Sequence, residues 1–183
     1  MKNQVLKFNK LILFSIALLI GGVLSLTSCK KSEKGMSRLS INLIDAPGDY
    51  QQVNVEILQV KVNHETDGWI DLPTISGTYD LLTLQNDVSA TLVDGGTLPA
   101  GKITQLRLVL GDNNTVMIDS LLYPLSTPSA QQSGLKINLN HTFLSNQMYE
   151  MVLDFEADES IVEQGNGSYS LKPVISVENI YPI

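Results

Sequence analysis

Three acidic residues late in the chain have a spacing that could hold a metal ion. Asp154, Glu156 and Asp158 alternate with Phe155 and Ala157, so in a strand all three carboxylates would project from one face. Carboxylate oxygens are ligands that calcium prefers, which makes calcium a candidate cofactor. No Asp-x-Asp-x-Asp-Gly loop accompanies them, so we favour a solvated strand end and expect no required cofactor.

Three further aspartates lie beside residues that favour turns. Asp45 and Asp49 flank Pro47-Gly48, and Asp80 stands just before a leucine pair. Aspartate in such places most often accepts hydrogen bonds from backbone N–H groups. We expect that role for all three, with contact to a bound sugar or calcium as the alternative.

The aromatic residues are the ones that could stack on a sugar ring or a peptide. Trp69 follows the Asp67-Gly68 turn in a short apolar segment and is the best candidate for an exposed ring, although such residues more often pack in the core. His64 and His141 have unrelated neighbours, and we interpret both as loop residues. No Gly-x-Ser-x-Gly motif is present, and the sequence predicts a protein that is not an enzyme.

The only cysteine, Cys29, ends a segment with the order of an export signal. A basic start with three lysines precedes an apolar run over 11–26 and then small residues. The alternatives are an uncleaved transmembrane anchor, for which the run is shorter than the about 20 residues that a spanning helix needs, and a secretory signal without lipidation. Leu26-Thr27-Ser28-Cys29 resembles a bacterial lipobox, which implies cleavage of signal peptide 1–28 and attachment of acyl chains, palmitate among them, to Cys29. Several such chains would anchor the protein stably to a membrane.

Charge and length limit what the remaining chain can be. Without its three signal lysines the chain has 12 − 3 = 9 basic residues against 19 acidic ones, a net charge of −10. This excess argues against nucleic acid as a partner and against electrostatic attachment to anionic lipid. The length fits one domain, and with Cys29 lipidated no thiol is left for a disulfide or a thiolate metal site.

Alternating apolar residues predict strands through most of the mature chain. The apolar phase changes near Ile57 between Val53 and Val62, which predicts a long strand with a bulge or a strand that crosses from one sheet to the other. The strongest strand is predicted over 103–110, where Gln105 and Arg107 share the outer face. The turn residues at 111–114 predict a hairpin into a strand at 116–118.

These elements predict an all-β domain. A helical turn is expected only over 158–164, with Asp158 as its cap. About seven to nine short strands without alternating helices favour a single β-sandwich of immunoglobulin or transthyretin type, with a closed barrel as the alternative. We divide the chain into signal peptide 1–28, lipidated cysteine and flexible tether 29–38, and sandwich domain 39–183.

Five blocks, in this order, carry a family resemblance. They are Leu43-Ile44-Asp45-Ala46-Pro47-Gly48-Asp49-Tyr50, Gly77-Thr78-Tyr79-Asp80-Leu81-Leu82, Leu98-Pro99-Ala100-Gly101, Leu110-Gly111-Asp112-Asn113-Asn114 and Leu171-Lys172-Pro173-Val174-Ile175. Together they resemble the bacterial lipoprotein domain known as domain of unknown function 4382, and the N-terminus resembles a Bacteroidetes-type lipobox. The resemblance implies a sandwich without an assigned activity. The basic residues after Cys29 differ from the acidic stretch that favours surface display in those lipoproteins.

Two hypotheses of different classes follow for a lipid-anchored protein of the cell envelope, which we place at the outer membrane. In the first, loops or one sheet face bind a glycan or peptide without catalysis; an exposed aromatic platform with convergent polar groups would favour it. In the second, a sheet edge pairs with a strand of another envelope protein; a long, uncharged edge strand would favour it. Hydrolysis is the weaker alternative and requires two facing carboxylates in a cleft.

Overall fold

The computed structural model describes residues 35–127 and 134–183, so the predictions for the signal peptide and Cys29 lie outside the described residues. The described residues form strands, one short α-helix and one 3-10 helix. The strands are β1 (Met36–Asp45), β2 (Gln52–His64), β3 (Gly68–Asp71), β4 (Gly77–Asp80), β5 (Ala90–Pro99), β6 (Gly101–Leu110), β7 (Thr115–Ile118), β8 (Leu121–Ser126), β9 (Leu135–Phe143), β10 (Met148–Phe155), β11 (Ile161–Glu163), β12 (Tyr169–Leu171) and β13 (Ile175–Pro182). The 3-10 helix is Leu81–Thr83, and the α-helix, α1, is Ala157–Ser160.

The first sheet has four strands in the order β13, β10, β1, β5. Its two central strands, β1 and β10, are parallel, with Leu39 beside Tyr149 and Leu43 beside Leu153. These residues and their alternate neighbours are buried, because every second side chain of a strand projects to the same face. The opposite face of this sheet carries polar residues.

The second sheet is built around β2. One edge of β2 pairs with β6 and, further along, with β7; the other edge pairs with β3 and β4. β9 then pairs with β6, while β8, β12 and β11 continue the sheet beyond β7. The pairing of β2 with β6 shifts register between Ile57 and Gln59, which confirms the predicted bulge, and Leu58 at that point is exposed.

The hairpin predicted at residues 111–114 is wrong. β6 and β7 do not pair with each other, because both run along the same edge of β2 and 111–114 bulges out between them. Glu56 of β2 holds this bulge: its carboxylate accepts the N–H of Asn113 at 3.0 Å, and its own N–H donates to the Asn114 side chain at 2.8 Å. Hydrogen bonds from the side chain and backbone of Asn113 lower the pKa of Glu56.

The inward faces of the two sheets enclose one hydrophobic core. The largest side chains that are fully buried in it come from both sheets: Phe143, Phe155, Leu39, Ile41, Leu43, Ile57, Leu81, Leu92, Leu98, Ile103, Leu106 and Leu108. The prediction of an all-β, sandwich-like domain is therefore confirmed. A single isolated bridge, between Thr74 and Val93, links the β3–β4 connection to β5, and the described strands form two sheets where a closed barrel would have one ring.

Two predicted boundaries differ from the structure. β1 begins at Met36, inside the segment predicted as tether, because Ser37 is buried and donates a hydrogen bond to the Gln147 carbonyl at 3.0 Å. The helical turn is α1 alone, since the chain becomes strand β11 at Ile161. Asp158, predicted to cap that turn, lies within it. Among residues 35–127 and 134–183, no helix is long and apolar enough to cross a membrane.

Candidate functional site

Trp69 lies on the outer face of the second sheet. It stands in β3 directly opposite Asn63 of β2, whose neighbours His64 and Val62 project into the core. The alternation of the strand therefore directs Trp69 outward, and 38% of its surface is exposed. The more common expectation of core packing is wrong for this residue.

Strand pairing aligns eight side chains in two rows around Trp69. Residues directly opposite each other in antiparallel strands share one face and lie in contact range. The first row is Trp69, Asn63, Gln105 and Asn138, and the second row is Asp71, Lys61, Arg107 and Lys136. Both rows cross β3, β2, β6 and β9 in that order, and we call this surface the Trp69 face. At about 4.8 Å between strands, each row spans about 14 Å.

Arg107 stacks on the indole of Trp69. Its guanidinium carbon is 4.1 Å from the ring centroid, the arrangement of a cation–π contact. Gly134, with φ of +69°, makes this position available, because a Cβ there would be only 2.6 Å from Cγ of Arg107. The Arg107 Nε is buried and has no hydrogen-bond partner among the described residues.

The remaining contacts of the Trp69 face organise its polar groups. The side-chain amide of Gln105 donates to the Asn138 oxygen at 3.3 Å, which aligns two amides in the first row. Lys61 forms an ion pair with Asp71 at 3.1 Å, an exposed pair of small energy. The face thus offers an aromatic ring, amide groups and cations on a rigid sheet, and its chemistry suits binding by stacking and hydrogen bonding.

A family comparison agrees with the resemblance carried by the sequence blocks. The family model described as "Domain of unknown function (DUF4382)" matches residues 36–173. The chain belongs to the DUF4382 family. The match spans β1 to β12 and ends just before β13. Searches of curated proteins and of solved structures gave no match.

The aspartates of the DUF4382 signature blocks have structural contacts. Asp45 is only 5% exposed; its carboxylate accepts the Ala157 N–H at 3.0 Å and lies 3.5 Å from the Gln85 amide nitrogen. Burial raises the pKa of Asp45 to about 6, against the opposing effect of these hydrogen bonds. Asp80 accepts the N–H of Val53 at 3.3 Å. Both carboxylates accept backbone N–H groups, but from residues distant in sequence and not from their own turns, and neither residue lies on the Trp69 face.

The third aspartate, Asp49, has the reverse role in its hydrogen bond. Its own N–H donates to the Asp158 carboxylate, at 3.1 Å to Oδ1 and 3.3 Å to Oδ2. Asp49 is exposed and does not use its carboxylate in this contact. This hydrogen bond joins the loop that contains Asp49 to α1.

The candidate calcium ligands of this DUF4382 domain do not converge. Asp154 alternates with buried residues of β10, but the strand ends at Phe155, so Glu156 lies beyond it, and Asp158 in α1 accepts the N–H of Asp49. Burial raises the pKa of Asp154, and the charge of Glu178 raises it further. Within the part of the chain that the structure describes, no three His, Cys, Asp or Glu side chains are grouped to hold a metal ion.

The two histidines are strand residues, so the loop interpretation is wrong for both. His64 ends β2 and is 2% exposed; its Nδ1 is 3.1 Å from the Asp67 N–H and 3.0 Å from the Asp67 carboxylate. His141 lies in β9 and packs edge-on against Phe143 and Tyr149. His64 is buried because it occupies an inward position of β2, and the turn that follows donates its N–H groups to Nδ1.

The sequence pattern does not identify three basic residues of the Trp69 face as site residues. They are Arg107, Lys61 and Lys136. A partial signal existed, since the alternation already placed Gln105 and Arg107 on the outer face of one strand. The alternation does not show that Trp69 lies beside them, because β3 and β6 do not pair directly and are connected only by their shared neighbour β2.

Proposed function

We propose that this DUF4382 domain is a non-catalytic binding module that holds a glycan on the Trp69 face. The observation that carries the proposal is the outward indole of Trp69 with the Arg107 guanidinium 4.1 Å from its centroid and a row of amides in register beside it. Apolar faces of sugar rings stack on indole surfaces, and sugar hydroxyls exchange hydrogen bonds with amides. A rigid sheet loses little conformational entropy when it binds such a chain.

A glycan fits this surface better than a peptide does. Extended peptides most often bind a sheet by adding a strand to its edge, whereas the Trp69 face presents side chains across four strands. Its length of about 14 Å is that of a short oligosaccharide lying flat. The only acid among the eight residues, Asp71, is already paired with Lys61, so the face lacks the two facing carboxylates that the hydrolase alternative requires.

The assembly alternative has less support, because the outer edges carry features that discourage strand addition. On β9, Lys136 is exposed and Asn140 has a φ of +51°, which interrupts a regular edge. On β13, Glu178 and Asn179 are exposed and the strand ends at Pro182. The other two outer strands are no better suited: β5 carries exposed Asp94 and pairs with β1 through register shifts, and β11 has only three residues.

We further propose that the domain is a β-sandwich of immunoglobulin or transthyretin type, held in the cell envelope by lipid on Cys29 after cleavage of residues 1–28. The lipobox and the basic, apolar, small order of the N-terminus support this anchor. The chain from Cys29 to Met36 reaches at most about 25 Å when extended. A domain so placed at the outer membrane would meet envelope or dietary polysaccharides close to the bilayer.

A glycan array tests the binding proposal. The chain from residue 30 onwards contains the compact unit Lys34–Ile183 and lacks the lipidation site, so it is used for the array. We expect binding to at least one glycan, lost in Trp69→Ala and retained in Tyr181→Ala. Tyr181 is a matched control because it is 37% exposed and lies on the other sheet. Equal binding by the wild type and Trp69→Ala would refute the site, and silence across the array would refute the function.

A further inference from the structure

The basic residues of the domain are concentrated on the Trp69 face. Residues 35–183 contain six basic residues, Arg38, Lys61, Lys102, Arg107, Lys136 and Lys172, against 18 acidic ones, a net charge of 6 − 18 = −12. Three of these six basic residues stand side by side in the second row of the face. The face is thus a local basic surface on an acidic domain.

Within the described residues, this basic row is only partly neutralised by acidic side chains. Asp71 is the one acid in the row and pairs with Lys61, so the row has a net charge of 3 − 1 = +2. Arg107 and Lys136 are directly opposite each other, and neither has a carboxylate partner among the described residues. Like charges in directly opposite positions destabilise a sheet. The arrangement therefore favours a role in binding over a role in stability.

Arg107 is positioned before any ligand arrives. Its stem lies against Gly134, its guanidinium lies against Trp69, and its Nε is buried without a hydrogen-bond partner among the described residues. A planar guanidinium held in one orientation presents its remaining N–H groups as a fork that matches carboxylate or sulfate oxygens. Such a fork loses little rotamer freedom when an anion binds.

We propose that the glycan bound by the Trp69 face is acidic, with carboxylate or sulfate groups that contact Arg107 and Lys136 while a sugar ring lies on Trp69. This inference rests on the proposed function and names the ligand class of the same site. Successive outward residues of a strand are about 7 Å apart, so an anionic substituent on a ring in the first row reaches the cations of the second row. The strongly negative remainder of the domain orients such a chain towards this face.

Paired polymers that share a backbone and differ in whether they carry anionic groups test the inference. The first pair is polygalacturonate and its fully methyl-esterified form, and the second pair is dextran sulfate and dextran. Each polymer is titrated into the chain from residue 30 onwards, and its affinity is measured by isothermal titration calorimetry. We expect at least one acidic polymer to bind about tenfold or more tightly than its neutral partner, with affinity that falls as salt rises.

Single substitutions then test whether the basic residues of the second row cause the tighter binding of acidic polymers. Lys136→Gln and Arg107→Gln should each weaken binding of the acidic polymer several-fold, while Lys172→Gln should not change it. Lys172 is a matched control because it is exposed, as Lys136 is, and lies between β12 and β13, outside the Trp69 face. Lys136 is also exposed, so its replacement leaves the fold intact, which circular dichroism verifies.

The outcomes separate the two proposals. Equal affinity for acidic and neutral polymers, or equal weakening by Lys172→Gln and Lys136→Gln, would overturn the acidic assignment and leave glycan binding in place. Binding only of neutral glycans, with loss in Trp69→Ala, would do the same. Absence of binding to every polymer and to the whole glycan array would overturn both.

Discussion

Replacement of Asp45 by asparagine tests how burial acts on the stability of this domain. Asp45 ends β1, is 5% exposed and accepts the Ala157 N–H at 3.0 Å. Burial raises its pKa from the ordinary 3.8 to about 6, and the charges of Asp154 and Asp158 add to the rise. In the folded protein the carboxyl group therefore holds its proton more tightly than in the unfolded chain.

The sign of the effect follows from this difference. Because the folded-state pKa is raised, the folded state binds more protons between pH 4 and 6, and the free energy of unfolding falls as pH rises through that window. A shift of about two pKa units corresponds to about 3 kcal/mol, and partial screening by solvent reduces it to about 1–3 kcal/mol. Below pH 4 the penalty is absent, and above pH 6 it is complete.

Asp45→Asn keeps an oxygen that accepts the Ala157 N–H but cannot ionise. We expect the variant to match the wild type near pH 4 and to exceed it by about 1–3 kcal/mol at pH 7. Urea denaturation at intervals from pH 4 to 7.5 measures both proteins, and their difference cancels the contributions of other acids. Asp45→Ala is the control: it cannot ionise either but leaves that N–H without a partner, so it should be less stable than Asp45→Asn by about 1–3 kcal/mol at every pH. A difference between wild type and Asp45→Asn that does not vary with pH would refute this reasoning.

Three further predictions concern the anchor, the metal and the shape of the Trp69 face. Cys29→Ala should abolish incorporation of labelled palmitate and retention in the membrane fraction; a variant that is still labelled would contradict the lipid anchor. Removal of divalent cations with a chelator should leave the β circular dichroism of the domain unchanged, because its core is apolar and no three metal-binding side chains are grouped in its described residues; a large loss of signal would contradict this. Gly134→Ala should cost about 1–3 kcal/mol, because φ is +69° and the new Cβ would meet the Arg107 stem, and should weaken glycan binding; unchanged stability and binding would show that Gly134 does not position Arg107.

Alternation along the chain predicted most strands because one face of each is buried. The change of apolar phase at Ile57 even located the bulge in β2, since a one-residue insertion reverses which side chains face the core. Residues 111–114 show where local patterns fail. Their turn chemistry fits a hairpin and a bulge equally well, and the bulge is held by Glu56, which is distant in sequence.

The candidate site was predictable only in parts. The short apolar segment after a turn identified Trp69 as the aromatic residue most open to solvent, and the phase of β6 placed Arg107 on an outer face. Strand order decides whether these two residues meet, and alternation carries no information about strand order. The role of Gly134 was not predictable from the sequence either, because it depends on the close approach of the Arg107 side chain to Gly134 in the folded structure.

The most direct test of the account uses the fact that Trp69 is the only tryptophan in the chain. Its fluorescence therefore reports on the Trp69 face alone. A glycan that binds in calorimetry is titrated into the wild type and into Lys172→Gln while tryptophan emission is recorded. We predict a saturable change in emission in both proteins, with the same midpoint as the calorimetric binding curve. Tight binding of that glycan without any change in the emission of Trp69 would contradict the central claim that this face is the binding site.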